Sequence, residues 1–310
     1  MNKTIKIGTR GSKLALYQAE RTQKELSEAH PDINFEIKII KTKGDKIQDV
    51  ALSKIGDKGL FTKEIEVELL AGDVDLAVHS LKDLPTRLPE GLEFGGVLER
   101  GEFRDALVSN TVKSIDELTP EHIVATSSLR RKASLLRLNP NLNIIDIRGN
   151  VQTRLRKLDE GYCDATIMAA AGLQRMGLQD RIAQILEPDG FIPAVSQGAI
   201  AIEIREGDKE IKVLLKAVNH EPTLQAVTAE RIVLRELEGG CQVPVGCYTK
   251  FENGKIQLSA FVSSIDGSRY LREDLNGDAE QSEALAYRIA EKLLEKGAKE
   301  ILNEIRKLNG

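Results

Sequence analysis

The chain has 310 residues and a net charge of −4, with 41% hydrophobic, 30% charged and 4% aromatic residues. That is a globular composition, long enough for two or three domains of roughly 100–150 residues. The acidic balance argues against a nonspecific nucleic-acid binder, which needs a basic excess to displace phosphate counterions. No run approaches the ~18 apolar residues that span a bilayer, and the opening "MNKTIKIGTRGS" lacks the apolar core of a signal peptide, so the expected compartment is the cytosol. In chain order, "TIKIG" alternates as a strand and Ser12 caps the helix "KLALYQAERTQKELSEA". "NFEIKIIK" alternates again, "TKEIEVELLAG" reads as a helix ended by Gly72, and "DLAVHS" as a buried strand. A second cycle opens near residue 100 with "RDALVS", the capping box "SIDE" at 114–117, "HIVATS", "LRRKASLLRL", "NIIDI", "VQTRLRKLDEG" and "ATIMAAA". Both cycles are expected to form parallel-sheet units with connecting helices. After about residue 220 comes the long helix "TLQAVTAERIVLRELE". Three strands follow, joined at "ENGK" and "IDGS", where Asn-Gly and Asp-Gly favour tight hairpins.

Cations stand at nearly every strand end of the α/β portion. Arg10 follows "KIGT", Lys82 follows "AVHS", Arg130 and Arg131 follow "VATSS", Arg148 follows "IIDI", Arg154 lies one turn further on, and Arg175 follows "IMAAAGLQ". Open α/β sheets bind ligands beyond the carboxyl ends of their strands, so this placement suggests an anion with several charged groups, held by guanidinium forks and helix N-termini. Ser12, Thr126 and Ser128 stand at the same helix starts. Singly, each arginine reads as a solvated charge, Ser12 and Ser128 as ordinary caps, and Lys82–Asp83 as a loop ion pair. Six arginines placed alike resist that reading.

The cysteines Cys163, Cys241 and Cys247 are odd in number and lack CxxC spacing, so no disulfide framework is expected. His30, His79, His122 and His220 form no HxxxH or HxH pair, and no metal site is expected. Cys163 and Cys247 border strand patterns and read as inert core residues, as does His79. Cys241 directly follows Gly239 and Gly240, which relax the backbone and remove cover, so its thiol reads as displayed.

Taken together, "IGTRGSKLALYQA", "KGLFTKE", "DLAVHSLKDLPT", "TSSLRRKASL", "IRGNVQTRL" and "ERIVLRELEGGCQVPVG" resemble the porphobilinogen deaminase (hydroxymethylbilane synthase) family, in order, from near residue 5 to about residue 250. The resemblance implies two doubly wound α/β lobes like those of two-lobed periplasmic binding proteins. It adds a C-terminal α+β domain with a three-stranded antiparallel sheet. Its domains are 1–99 with 200–218, then 100–199, then 219–310 with the cofactor cysteine. It implies a transferase of tetrapyrrole (heme) biosynthesis, in which a dipyrromethane cofactor bound to Cys241 by a thioether primes the addition of porphobilinogen. It assigns catalysis to Asp83. Cofactor contacts fall on Ser80, Lys82, Asp83, Thr126, Ser128, Arg130, Arg131 and Gly149. Substrate contacts fall on Arg10, Ser12, Arg148, Arg154, Arg175 and Gln197, and on Phe61, Lys54 and Lys58 in a covering segment whose mobility Gly56 and Gly59 favour. A cytoplasmic monomer without nucleic-acid or membrane partners is expected.

Two other classes fit parts of the pattern. A two-lobed solute-binding protein would hold an anion without chemistry and leave Cys241 without a role. A phosphate-handling enzyme would need a GxxxxGK[ST] or GxGxxG after a strand, and neither occurs.

Overall fold

The computed structural model describes residues 4–46, 61–238 and 243–309. They divide into two units, one of residues 4–46, 61–101 and 198–224 and one of residues 102–197 and 225–309.

The first unit contains β1 (Thr4–Arg10), α1 (Lys13–Ala29), β2 (Asn34–Ile40), α2 (Lys43–Lys46), α3 (Lys63–Ala71), β3 (Leu76–Ser80) and β4 (Leu92–Val97). The Ser12 hydroxyl accepts the Ala15 N–H at 3.3 Å, and Ala15, Gln18, Ala19, Thr22 and Leu26 bury one face of α1 at helical spacing. Gly72 ends α3 at φ 77, a conformation that costs glycine nothing and lets its N–H turn back onto the Glu68 and Leu69 carbonyls.

The second unit follows with β5 (Asp105–Ser109), β6 (Ile123–Ala125), α4 (Leu129–Leu138), β7 (Asn143–Ile145), α5 (Val151–Asp159), β8 (Ala165–Ala169), α6 (Ala170–Gln174) and β9 (Ile182–Leu186). The chain returns to the first unit for β10 (Ile200–Arg205) and α7 (Lys209–Leu215). It ends with α8 (Glu221–Glu236), β11 (Val245–Glu252), β12 (Lys255–Ser263), β13 (Tyr270–Asp278), α9 (Ser282–Glu295) and α10 (Ala298–Asn309).

The α/β sheets are mixed, which corrects the expectation of parallel units. One has the order β2-β1-β3-β10-β4 and the other β7-β6-β8-β5-β9. In each, four strands point the same way and one, β10 or β5, fourth in the order, is antiparallel to both of its neighbours. The inserted strand is in each sheet the first one after the chain crosses from the other unit, near residues 101 and 197. Helices cover both faces of each sheet: Ala19, Leu26, Ile211 and Leu215 pack on one face of the first sheet, Ile65 and Leu69 on the other. The third sheet, β11-β12-β13, is wholly antiparallel and buries one face against α8, α9 and α10.

Two local expectations need correction. "SIDE" makes a single 3-10 turn, Ile115–Glu117; Ser114 caps it, but Glu117 Oε2 accepts the Lys113 N–H at 3.0 Å, one residue outside a capping box. "ENGK" is a two-residue hairpin with Asn253 and Gly254 at φ 50 and 74, as a type I′ turn demands. "IDGS" is no tight turn, because pairing stops at Ser263 and Tyr270 and leaves a six-residue loop. Tertiary contact explains the length: Gly267 lies so close to α4 that an added Cβ would meet the Ala133 carbonyl at 2.6 Å. No helix among the described residues is long and apolar enough to cross a membrane.

Candidate active site

In the first unit, β1 and β3 are parallel neighbours, so the residues after each strand share the sheet's carboxyl edge. Arg10 closes β1 with its guanidinium carbon 4.2 Å from the centroid of the Phe61 ring, a cation–π contact that orients the fork. Ser80 closes β3, and its hydroxyl exchanges hydrogen bonds of 2.9 and 3.2 Å with the Gln18 amide. The 3-10 turn Leu81–Asp83 follows. Leu81, its first residue, and Leu84, which follows it, are buried, and the Leu81 N–H reaches the Ala199 carbonyl at 3.1 Å. Pinned at both ends, the turn leaves Asp83 exposed and Lys82 half-buried.

In the second unit, β6, β7 and β8 run parallel; β6 and β7 end in register at Ala125 and Ile145, and β8 runs on from Thr166 to Ala169. The Thr126 N–H donates to Ile145 O at 2.8 Å, its hydroxyl accepts the Ser128 N–H at 3.2 Å, and Ser128 caps α4. Arg148 precedes Gly149, whose φ of 111 and whose missing Cβ, which would lie 2.5 Å from Thr153 Cγ2, both require glycine. Asn150 then caps α5, and Arg154 Nε donates to Gly149 O at 2.9 Å. Burial pulls the Arg148 pKa below its ordinary value. Arg175 ends α6 beyond β8.

Arg130 and Arg131 are buried. Their side chains are 5% and 8% exposed, and both grip Asp105, at 0%. Arg130 Nη2 donates to Asp105 Oδ2 at 2.7 Å and its Nη1 to Ile192 O at 2.8 Å. Arg131 donates to Asp105 Oδ1 from Nη2 at 2.7 Å and Nε at 3.1 Å, and to Ile167 O at 2.9 Å. Gln197 Nε2 donates to Asp105 Oδ1 at 3.0 Å and to Phe103 O at 2.8 Å. Burial alone would raise the pKa of Asp105, yet the two guanidiniums hold the carboxyl well below the usual carboxylate range. Sequence reasoning missed Asp105. It opens β5, which reaches the carboxyl edge of the sheet only because it is antiparallel, opposite Ala169 at the end of β8. The one signal was an acid inside an otherwise apolar run, "DALVS".

Cys163 and Cys247 are buried, as expected, and burial pushes the Cys163 thiol up to about 11. His79 is also a core residue, its Nε2 3.1 Å from Glu203 Oε2. Cys241, Lys54 and Lys58, together with Gly56 and Gly59, lie outside the described residues.

The fold and these positions define an α/β protein with hydroxyl and cationic donors at the carboxyl edge of each unit's sheet, a donor set suited to a ligand bearing carboxylates. Residues 5–213 match the family model described as porphobilinogen deaminase, dipyrromethane cofactor binding domain, and residues 224–295 match porphobilinogen deaminase, C-terminal domain. The chain is 53% identical over 304 residues to a porphobilinogen deaminase of Synechococcus elongatus, covering 97% of this chain and 95% of that one. It is 50% identical over 306 residues to a porphobilinogen deaminase of Desulforudis audaxviator, covering 99% of each. The chain belongs to the porphobilinogen deaminase family. Among solved structures it is similar to a TRAP periplasmic solute-binding protein of Desulfovibrio salexigens, at 11% identity and TM-score 0.44 over 72% of this chain and 74% of that one.

Proposed function

We propose that this chain joins four porphobilinogen molecules head to tail, with loss of ammonia, on a dipyrromethane primer held by a thioether at Cys241, and releases the product, hydroxymethylbilane, by water. The observation that carries the chemistry is the pinned turn at the end of β3, which displays Asp83 on the same sheet edge as Arg10.

When bound, the dipyrromethane supplies the nucleophilic α-carbon at which the chain grows. Loss of ammonia from porphobilinogen leaves an electron-poor azafulvene whose positive charge is shared with the pyrrole nitrogen. The Asp83 carboxylate stabilises that charge and holds the pyrrole proton. Acetate and propionate groups on every pyrrole make the growing chain a polyanion. Arg10, Arg130, Arg131, Arg148, Arg154 and Arg175, with Lys82, supply its counter-charges. Ser12, Ser80, Thr126, Ser128, Gly149 and Gln197 add neutral contacts, and Phe61 supports the Arg10 fork. Lys54 and Lys58 are assigned as further cations. The same reading takes the chain as a cytosolic monomer of three domains: 1–99 with 200–218, then 100–199, then 219–310.

Intact mass spectrometry of the purified protein, followed by peptide mapping, tests it. An excess equal to two linked pyrrole units on the Cys241 peptide is expected, together with porphobilinogen consumption. An unmodified mass in a protein that consumes no porphobilinogen when supplied with it overturns the proposal.

A further inference from the structure

Glu230 lies on α8 with no exposed surface, and its carboxylate is used on two backbone amides. Oε2 accepts the Ser196 N–H at 2.7 Å and Oε1 the Thr249 N–H at 3.1 Å. Ser196 needs the restraint. It is a non-glycine residue at φ 60, fully buried, and its own hydroxyl makes no hydrogen bond. The 192–197 loop around it is clamped on the same side by β11. The Cys247 N–H donates to Pro193 O at 3.2 Å, and Gly246 comes so close that an added Cβ would meet the Ile192 and Pro193 carbonyls at 3.0 and 2.9 Å. At its other side the loop holds the arginine pair, through Ile192 O on Arg130 and the Gln197 amide on Asp105.

We infer that Glu230 is a positioning residue for Arg130 and Arg131. Its charge holds Ser196 in the left-handed conformation, which sets the Ile192 carbonyl and Gln197 where they fix Arg130, Asp105 and Arg131. The role rests on the reading above, in which that pair meets the carboxylates of primer and substrate. Glutamine at 230 is isosteric but has one oxygen, so its NH2 group must face one of the two N–H donors. The loop then loses one of its fixings, and the guanidiniums lose their register.

The test uses the Glu230→Gln holoprotein. Hydrogen exchange of the Arg131 Nε–H is followed by nitrogen-15 NMR, with the signal assigned by its loss in Arg131→Lys and the backbone amides of β12 as reference. Exchange is expected to quicken by about tenfold or more relative to those amides. In parallel, KM for porphobilinogen should rise about fivefold or more with kcat within about threefold, the signature of lost binding. Unchanged relative exchange with unchanged KM overturns the proposal, even if the protein is less stable, since Glu230 is then structural only. If Glu230→Gln does not fold, Glu230→Asp replaces it: the charge stays, but a side chain one methylene shorter cannot hold both the Ser196 and the Thr249 N–H groups, and the same two results decide. If the unmutated protein fails to consume porphobilinogen, the functional reading fails, while the exchange measurement still decides the role of Glu230.

Discussion

Arg131 closes a two-point contact on one oxygen of Asp105, with Nη2 at 2.7 Å and Nε at 3.1 Å, where almost no water reaches either side chain. Arg130 takes the other oxygen. One buried carboxylate thus neutralises part of the charge of two buried cations and leaves a net positive centre at the carboxyl edge of the second sheet. Such a centre suits an anionic ligand better than two separate surface arginines would, because the pair's orientation is set before the ligand arrives.

Asp105→Asn is expected to destabilise the protein by about 3–5 kcal/mol, since it strands two buried guanidiniums without their counter-charge. Urea denaturation at neutral pH measures this. The folded pKa of Asp105 is depressed, so its contribution is fully present above the unfolded value of about 3.9 and is lost only as pH falls below that. The difference between mutant and unmutated protein should therefore be constant from pH 5 to 7 and shrink only in stronger acid.

Asp83→Asn keeps the shape of an exposed side chain and removes its charge. Stability should change by less than about 0.5 kcal/mol. Single-turnover consumption of porphobilinogen by cofactor-loaded protein should slow by about a hundredfold to ten-thousandfold, or ~3 to 5 kcal/mol in barrier. A rate within about threefold of the unmutated protein removes Asp83 from the mechanism.

Arg130→Lys and Arg131→Lys keep a cation opposite Asp105 but lose the fork. Each variant is expected to fold, to load less primer by intact mass and to show a raised KM, because a point charge cannot reproduce bidentate contact. Normal loading and turnover in both would place the polyanion elsewhere.

Cys241→Ala should yield a folded protein without the two-pyrrole adduct and without turnover. Cys163→Ala and Cys247→Ala should carry the adduct and turn over, since both thiols are buried. A normal adduct on Cys241→Ala, read by mass spectrometry, would reassign the attachment site.

Glu66 on α3 is buried beside His79 and Glu203, and burial raises its pKa. For a raised carboxyl, the stabilising contribution is full below the unfolded value of about 4.3 and is lost as pH rises through the folded pKa. Glu66→Gln should therefore gain stability relative to the unmutated protein as pH rises from 4 to 7.5. Denaturation midpoints at the two ends check the sign; an equal difference at both would refute it.

Much of this was legible from sequence because the signals are short-ranged. The helices Lys13–Ala29 and Leu129–Leu138 could be read residue by residue, since each joins a serine cap to apolar spacing within one segment. The cations at strand ends were equally plain, because a strand's carboxyl end is a local property of the chain. So were Cys163 and Cys247, whose places beside strand patterns marked them as core residues. Only the tertiary structure made the sheets mixed, lengthened the "IDGS" loop against α4, and brought Asp105 and Gln197, 92 residues apart, onto the arginine pair. Caps and periodicity act within about four residues, whereas a strand's polarity and a buried charge's partner depend on which distant segment folds beside it.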